Sequence, residues 1–297
     1  MENAKKFYDI AFIGHYTKDT IVSSSGTRVV DGGAFNYGSN VAVKMGLKVA
    51  AVTRLAKEDF YVVERLKSLG VNIFVNITPQ STCLRLEYPS SDVDERIIYV
   101  TSSAGPFTLA EIQKIEARAF VVGASMRGEV GLEVVEELAK KKTVLAADVQ
   151  SFIRTNYHGK LIPKDWPEKN SILSHLDVLK TDAVEAEMLT GISDIREAAR
   201  KISDLGPHEV VITHRDSLLV YTDGQFYEES FFPNQLIGRS GRGDTCIAAY
   251  IAKRLSASPQ EATIWAAAVT SLKMEAEGPF QRTIEEVNHL IQTKYRV

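Results

Sequence analysis

The stretch Leu236–Leu255, "LIGRSGRGDTCIAAYIAKRL", places glycines at 238, 241 and 243 directly ahead of a run with helical spacing. From Gly238 to Thr245 it reads G-x-x-x-x-G-D-T, one residue away from the nucleotide-binding loop G-x-x-x-x-G-K-S/T. The residue that differs is Asp244, an anion where a phosphate-gripping cation is expected. After it, Ile247, Tyr250, Ile251 and Leu255 form one apolar stripe, and alanines at 248, 249 and 252 permit close packing. Glycines before a helix let main-chain N–H groups turn toward an anion, and the helix start adds roughly half a positive charge. A phosphate can therefore be held here without a lysine. Asp244 is then left either for other chemistry or as a plain helix cap.

Outward from this loop, short apolar runs recur: "DIAFIGH", "KVAAVTRL", "AFVVGAS", "KTVLAADVQ", "LDVLKTD" and "HEVVITH". Continuous apolar runs of this length suit strands buried on both faces of a parallel sheet. Between them lie helical patterns. "GSNVAVKMG" sets Val41 one turn before Met45, "GLEVVEELAKKK" puts Leu132, Val135 and Leu138 on one face, and "SDIREAARKISDLG" opens on Ser193 and Asp194 and stops at Gly206. Alternating strands and helices predict an α/β fold with a doubly wound, mainly parallel sheet. Residues of about 20–32 and 82–101 break the rhythm with β-branched residues around polar turns, and read as antiparallel hairpins that could pair as a small sheet beside the main one. Asp223-Gly224, between "SLLVYT" and "QFYEES", is a two-residue hairpin signal.

The 297 residues suit one large α/β domain, with 44% hydrophobic and 25% charged residues. A net charge of −3 gives no electrostatic footprint for nucleic acid or an anionic membrane. Cys83 and Cys246 have no metal-ligand or disulfide spacing. The N-terminal apolar run is too short for a signal peptide, so a cytoplasmic protein is expected.

In open parallel sheets, ligands bind beyond the carboxyl ends of the strands. That edge collects Thr17 and Asp19, then Asp148 with Gln150 and Arg154, then Asp182 with Glu185, then Thr213 and His214. Individually, Asp182 and Glu185 could merely cap a helix, and Asp148 could be a solvated turn residue. Their convergence on one edge favours a site.

With these features in hand, the chain resembles the ribokinase-like (PfkB) family of carbohydrate kinases over essentially its whole length. "GRGDT" before a small-residue helix resembles the family's G-A-G-D signature, and "DGGAFNYGSNVAVKMG" its glycine-pair substrate motif. "LKTDAVEAEMLTG" resembles its N-x-x-E stretch, and "VVITHRDSLLVYTDG" its T-x-G-x-x-G nucleotide strand. The resemblance implies a single ribokinase-like domain over 1–297 with a β lid, often a dimer contact. It also implies ATP as donor and Mg²⁺.

It further implies Asp244 as catalytic base and the backbone of Gly241, Arg242 and Gly243 as anion hole. Asp19, Gly32 and Gly33 match acceptor-binding positions, and Arg96 falls where the lid often carries a basic residue. Asp182 and Glu185 match the residues that organise magnesium indirectly, and Thr213 opens the nucleotide strand. Asn36 and Asp148 join the acceptor candidates, Asn36 because the family's usual asparagine falls on Tyr37 with Asn36 and Asn40 beside it.

Four departures stand out. Asp182 replaces asparagine, Arg242 replaces a small residue, "THRDS" lacks the nucleotide-strand glycines, and Tyr37 stands for asparagine. "GRGDTC", "DVQSFIR" and the aspartate form of N-x-x-E resemble the branch with inositol kinases. The expectation is an ATP-dependent kinase of a sugar or cyclitol, myo-inositol foremost. A nucleoside kinase using Phe35 or Tyr37, and a non-catalytic ligand-binding relative, are the alternatives.

Overall fold

A computed structural model describes residues 7–24, 26–89 and 96–295. Its strands are β1 (Phe7–Ile13), β2 (Thr17–Ser23), β3 (Gly26–Gly32), β4 (Val49–Leu55), β5 (Asn72–Ile77), β6 (Thr82–Glu87), β7 (Ile97–Ser102) and β8 (Glu116–Val122). They continue with β9 (Val144–Asp148), β10 (Arg154–Tyr157), β11 (Lys160–Pro163), β12 (Val178–Asp182), β13 (Glu209–Thr213), β14 (Ser217–Thr222) and β15 (Gln225–Ser230).

The apolar runs do form the central strands. They assemble a nine-stranded sheet in the order β15-β14-β13-β12-β9-β8-β1-β4-β5. The pairs from β5 through β13 are parallel, and β13-β14-β15 are antiparallel. Each face of this sheet is buried. Ile10 and Phe12 of β1 enter one core with helices Ala34–Lys44, Arg242–Arg254 and Pro259–Met274, while Ala11 and Ile13 enter the other with Leu132–Ala139 and Ile195–Ser203. Asp223 and Gly224 form the turn between β14 and β15, both with positive φ, at 49° and 74°. That geometry matches the strand twist and explains the Asp-Gly pair.

The smaller sheet is larger than expected. It has six strands in the order β10-β11-β7-β6-β2-β3. The segments of about 20–32 and 82–101 supply β2, β3, β6 and β7, and β2 pairs β6 in parallel. Residues 90–95, between β6 and β7 in the chain, lie outside the described residues. The remaining hairpin, β10-β11, comes from residues 154–163 and turns at His158-Gly159, with φ of 48° and 88°. The lid also begins earlier than expected, at Thr17, so Asp19 stands on a lid strand and not on a loop.

Candidate active site

A cleft of about 380 Å³ lies between the carboxyl edge of the large sheet and the lid. That is enough for a small polyol and a short phosphate chain. Its wall includes Asp19, Gly33, Arg96, Asp182, Thr213, Gly241, Arg242, Gly243 and Asp244. Sequence elements far apart are thus brought together as expected.

The helix Arg242–Arg254 begins at Gly241, whose φ of 75° is left-handed. A side chain there would also strike the Tyr37 ring, since a Cβ would come within 2.3 Å of it. Both constraints demand glycine. The helix has no side-chain cap, so Asp244 does not serve as one. First-turn N–H groups have no partner within a helix. Arg242 N–H is nonetheless spent, donating to the Arg239 carbonyl at 3.1 Å. No main-chain acceptor among the described residues takes the N–H of Gly241, Gly243 or Asp244. The main-chain donors left open at this helix start are therefore those of Gly241, Gly243 and Asp244, and the Arg242 N–H expected among them is already engaged. Arg242 contributes its side chain instead. Its Nη1 donates to the Arg215 carbonyl at 3.3 Å, which holds the guanidinium along the cleft wall.

Asp244 is half-buried at the cleft wall, and loss of hydration around its carboxylate raises its pKa to about 6, with nearby Asp148 adding to the rise. Lys180, Arg154 and Lys273 hold it down against that. Asp19 is raised to about 7, first by burial, with Thr17 opposing through a hydrogen bond and Asp244 adding repulsion. Its Oδ1 is buried without a hydrogen-bond partner. A residue that lines the cleft and carries a carboxylate oxygen with its hydrogen bonding unsatisfied is a candidate acceptor for a hydroxyl donor.

Several expected residues sit behind the wall. Gly32 lies under Asp19, where a Cβ would approach its Oδ2 to 2.4 Å. Asn36 is fully buried and donates from Nδ2 to the Asp31 carbonyl at 3.0 Å, so it does not reach the cleft. Asp148 likewise turns inward. Its Oδ2 is 3.0 Å from Lys180 Nζ, and its Oδ1 accepts from Gln150 N–H at 3.1 Å. Its role is to pair a buried lysine, because an unpaired buried charge would be far costlier.

Asp182 and Glu185 do form a reciprocal cap on helix Ala183–Thr190. Asp182 Oδ1 accepts from Glu185 N–H at 2.8 Å, and Glu185 Oε2 accepts from Asp182 N–H at 3.0 Å. Asp182 still faces the cleft, while Glu185 lies behind it with Oε1 3.6 Å from Arg154 Nη2. Thr213 is buried at the end of β13, and its hydroxyl lies 3.5 Å from the Thr181 carbonyl.

Three features escaped the sequence reading. Lys180, inside an apolar strand run, sits beneath the anion hole, where a Cβ on Gly243 would come within 2.7 Å of its Nζ. Burial alone would lower the Lys180 pKa, but Asp148, Glu185 and Asp182 outweigh it and push it up. Lys273 is buried against the segment ahead of Gly241. Leu84, Leu86, Tyr88 and Ile98 of the lid form an apolar ceiling over the cleft. The alternation L-x-L in "CLRLE" was the available signal for that ceiling.

The model for the pfkB family of carbohydrate kinases matches residues 10–283. Among curated proteins, the cytidine kinase of Thermococcus kodakarensis is 25% identical over 264 residues, spanning 85% of this chain and 91% of that one. Among solved structures, a sulfate complex of a pyrophosphate-dependent kinase in the ribokinase family is 36% identical with a TM-score of 0.87, covering 94% of this chain and 99% of that one. A pyrophosphate-dependent myo-inositol-1 kinase, converted into a myo-inositol-3 kinase by replacing one asparagine and one serine with leucine, is 34% identical with a TM-score of 0.86, covering 97% and 100%. The ribokinase of Arabidopsis thaliana, at 18% identity and a TM-score of 0.75, shares the fold over 97% of this chain and 100% of its own. A family match running almost end to end, together with the shared fold, makes this chain a member of the pfkB family of carbohydrate kinases, and its reaction a phosphoryl transfer to an alcohol.

Proposed function

We propose that the chain phosphorylates a cyclitol, with myo-inositol as the best acceptor, and that its donor is inorganic pyrophosphate. This replaces the expectation of ATP. The observation that carries it is the donor end of the cleft. Where the family's nucleotide strand has its two glycines, this chain has Arg215 and Leu218, and the wall there holds Thr213, His214, Arg215, Arg239 and Arg242. Guanidinium groups suit short polyphosphate. Among the described residues that line the cleft, the larger apolar side chains belong to the lid, apart from Tyr37 under the glycine loop and Val184 at a helix start. Solved structures of similar sequence are pyrophosphate-dependent, and one holds a pyrophosphate analogue with myo-inositol, which supports both halves of the reading.

In this reading the acceptor lies under the lid between Asp19 and Asp244. The donor phosphates lie over the start of helix Arg242–Arg254 and against the arginines. Asp19 Oδ1 accepts from one acceptor hydroxyl and orients the ring. The hydroxyl to be phosphorylated faces Asp244. Its oxygen bonds to phosphorus as the bridging P–O bond breaks, phosphate leaves, and the hydroxyl proton passes to Asp244. A carboxylate is a weak base for an alcohol, so the proton moves late, once the new bond is forming. The N–H groups of Gly241, Gly243 and Asp244 stabilise the equatorial charge of the transferring group.

Among the described residues no three metal-ligating side chains gather, and the capping pair leaves Asp182 facing the cleft. Such a site fits a hydrated Mg²⁺ carried mainly by substrate phosphates. Asp182 would organise that ion's water shell, Glu185 would support it from behind, and the ion would neutralise donor charge.

The test is a grid of donors and acceptors: pyrophosphate, tripolyphosphate, ATP and CTP against myo-inositol, ribose, fructose and cytidine, with Mg²⁺. The reading expects pyrophosphate with myo-inositol to give a kcat/KM on the order of 10²-fold above any nucleotide, a gap of nearly 3 kcal/mol in transition-state binding. Equal or better turnover with ATP would overturn the donor half. The cytidine kinase relative motivates the nucleoside arm, and preferred phosphorylation of cytidine would overturn the acceptor half.

A further inference from the structure

The reaction described so far leaves one buried cation unused. Lys273, near the end of helix Pro259–Met274, is 1% exposed. Its Nζ donates to the Gly238 carbonyl at 2.6 Å and to the Ser240 carbonyl. The same helix end takes the main chain of the segment as well, because Ile237 and Gly238 N–H donate to the Met274 carbonyl at 2.9 and 3.0 Å. Residues 237–240 are thus stitched to the helix from both sides, immediately before Gly241. On its open side the ammonium lies 5.5 Å from the centre of the Tyr37 ring. That is the ring which Gly241 packs against.

Two carbonyl dipoles converging in a dry site need a positive charge, or they repel each other. Here a side chain of the protein supplies it. We propose that Lys273 is a positioning residue for phosphoryl transfer: its ammonium gathers the Gly238 and Ser240 carbonyls, and this fixes where the following N–H groups of the anion hole point. The effect is on aim and not on contact, since the ammonium meets main chain and Lys273 does not line the cleft. It depends on neither donor nor acceptor identity, so it stands apart from the pyrophosphate reading.

The charged groups around Lys273 give a second handle. Burial lowers its pKa to about 8, opposed by the nearby carboxylates of Glu277 and Asp244. Glu277 is itself engaged by Arg28 of β3, at 2.7 Å. Tyr37 is raised far out of the working range by burial, so it adds no titration there. The ammonium is therefore present below about 8 and lost as pH rises through it.

The experiment compares wild type with Lys273→Met, using whichever donor supports wild-type turnover. Methionine keeps the length of the side chain and deletes the charge. Misaim of a catalytic group by about 1 Å can cost about 10²-fold, so kcat is expected to fall on that order while acceptor KM moves less than about threefold. Added ammonium or methylammonium chloride should restore part of the loss, against sodium chloride as control. The proposal is overturned if the folded variant keeps kcat within about threefold of wild type. Should Lys273→Met not fold, the wild-type profile decides. A kcat that falls as pH passes about 8 with circular dichroism unchanged supports the proposal, and a flat profile overturns it.

Discussion

Lys180 Nζ and Asp148 Oδ2 lie 3.0 Å apart in the floor of the cleft, with the α-carbon of Gly243 directly above them. The pair is neutral as a whole, but it presents its ammonium, the nearer of its two charges, to the underside of the glycine loop. Removing one partner strands the other. Lys180→Met is expected to lower stability by about 3–5 kcal/mol, the usual cost of leaving a buried charge unpaired. Because Lys180 helps hold the Asp244 pKa down, the acid limb of activity should also move to higher pH. Thermal unfolding and a pH–rate profile on the same preparation check this. An unmoved limb with full stability would contradict it.

The carboxylates set the pH dependence of the wild type. Asp244 is raised to about 6 and Asp19 to about 7 from an ordinary 3.8, each chiefly by burial. They repel one another, so the acid limb belongs to the pair. Both must be ionised, one to take a proton and one to accept a hydroxyl, so kcat/KM should fall as pH drops from about 7 through about 6. The sign for stability is opposite. A raised pKa means the folded state holds the proton more tightly, so the contribution is full below 3.8 and is lost as pH rises through about 6. Each ionised carboxylate is then a cost at neutral pH, up to about 3 kcal/mol for Asp244. A plateau of kcat/KM that extends unchanged down to about pH 5 would rule out this assignment.

Asp182 separates structural and ionic roles. Asparagine is as good an N-cap as aspartate, so Asp182→Asn should leave stability within about 0.5 kcal/mol. It removes a charge from the cleft wall, so the Mg²⁺ concentration for half-maximal rate should rise by about 3–10-fold. Titrating Mg²⁺ at fixed donor measures it. An unchanged Mg²⁺ requirement would leave Asp182 as a cap alone.

In the proposed reading, the lid ceiling selects which face of the acceptor meets Asp244. Leu84 and Leu86 project from β6 toward the cleft on either side of outward Arg85. A ring hydroxyl pressed against leucine loses its hydrogen bonds, which costs about 1–3 kcal/mol and excludes ring orientations that require it. Leu84→Asn should therefore alter the ratio of phosphorylated regioisomers, read by chiral chromatography of the product. One similar structure records a regiochemical conversion by two leucine substitutions, which motivates the test. An identical product ratio would show that the lid does not orient the ring.

Most of the large sheet was legible because its strands are continuous apolar runs, and such runs have few other stable homes. The glycine loop was legible because only glycine tolerates the left-handed turn at 241 against the Tyr37 ring. The β10-β11 hairpin was missed although its His158-Gly159 turn carries the same two-residue signature as Asp223-Gly224. Its four-residue strands are too short for periodicity to speak. Helices Pro259–Met274 and Ile284–Lys294 went unnamed despite Ser258–Glu261 and Thr283–Glu286 capping boxes at their starts. Lys180 and Lys273 were invisible for a different reason. A lysine in sequence reads as solvent-facing, and only the folded chain shows which carboxylate or carbonyl groups it was buried to meet. Asn36 erred in the opposite direction, since its position beside the glycine pair suggested a ligand while the backbone of Asp31 claims its amide.

In the proposed mechanism the chemistry turns on Asp244, and Asp244→Asn tests it most directly. The amide is nearly isosteric, it removes no helix cap, and it cannot take a proton. Single-turnover rates and donor affinity should be measured on one folded preparation. The account predicts a rate lower by about 10²–10⁴, with donor affinity held or improved by removal of a carboxylate near the phosphates. A rate within about threefold of wild type would contradict it, leaving the proposed phosphoryl transfer without its base.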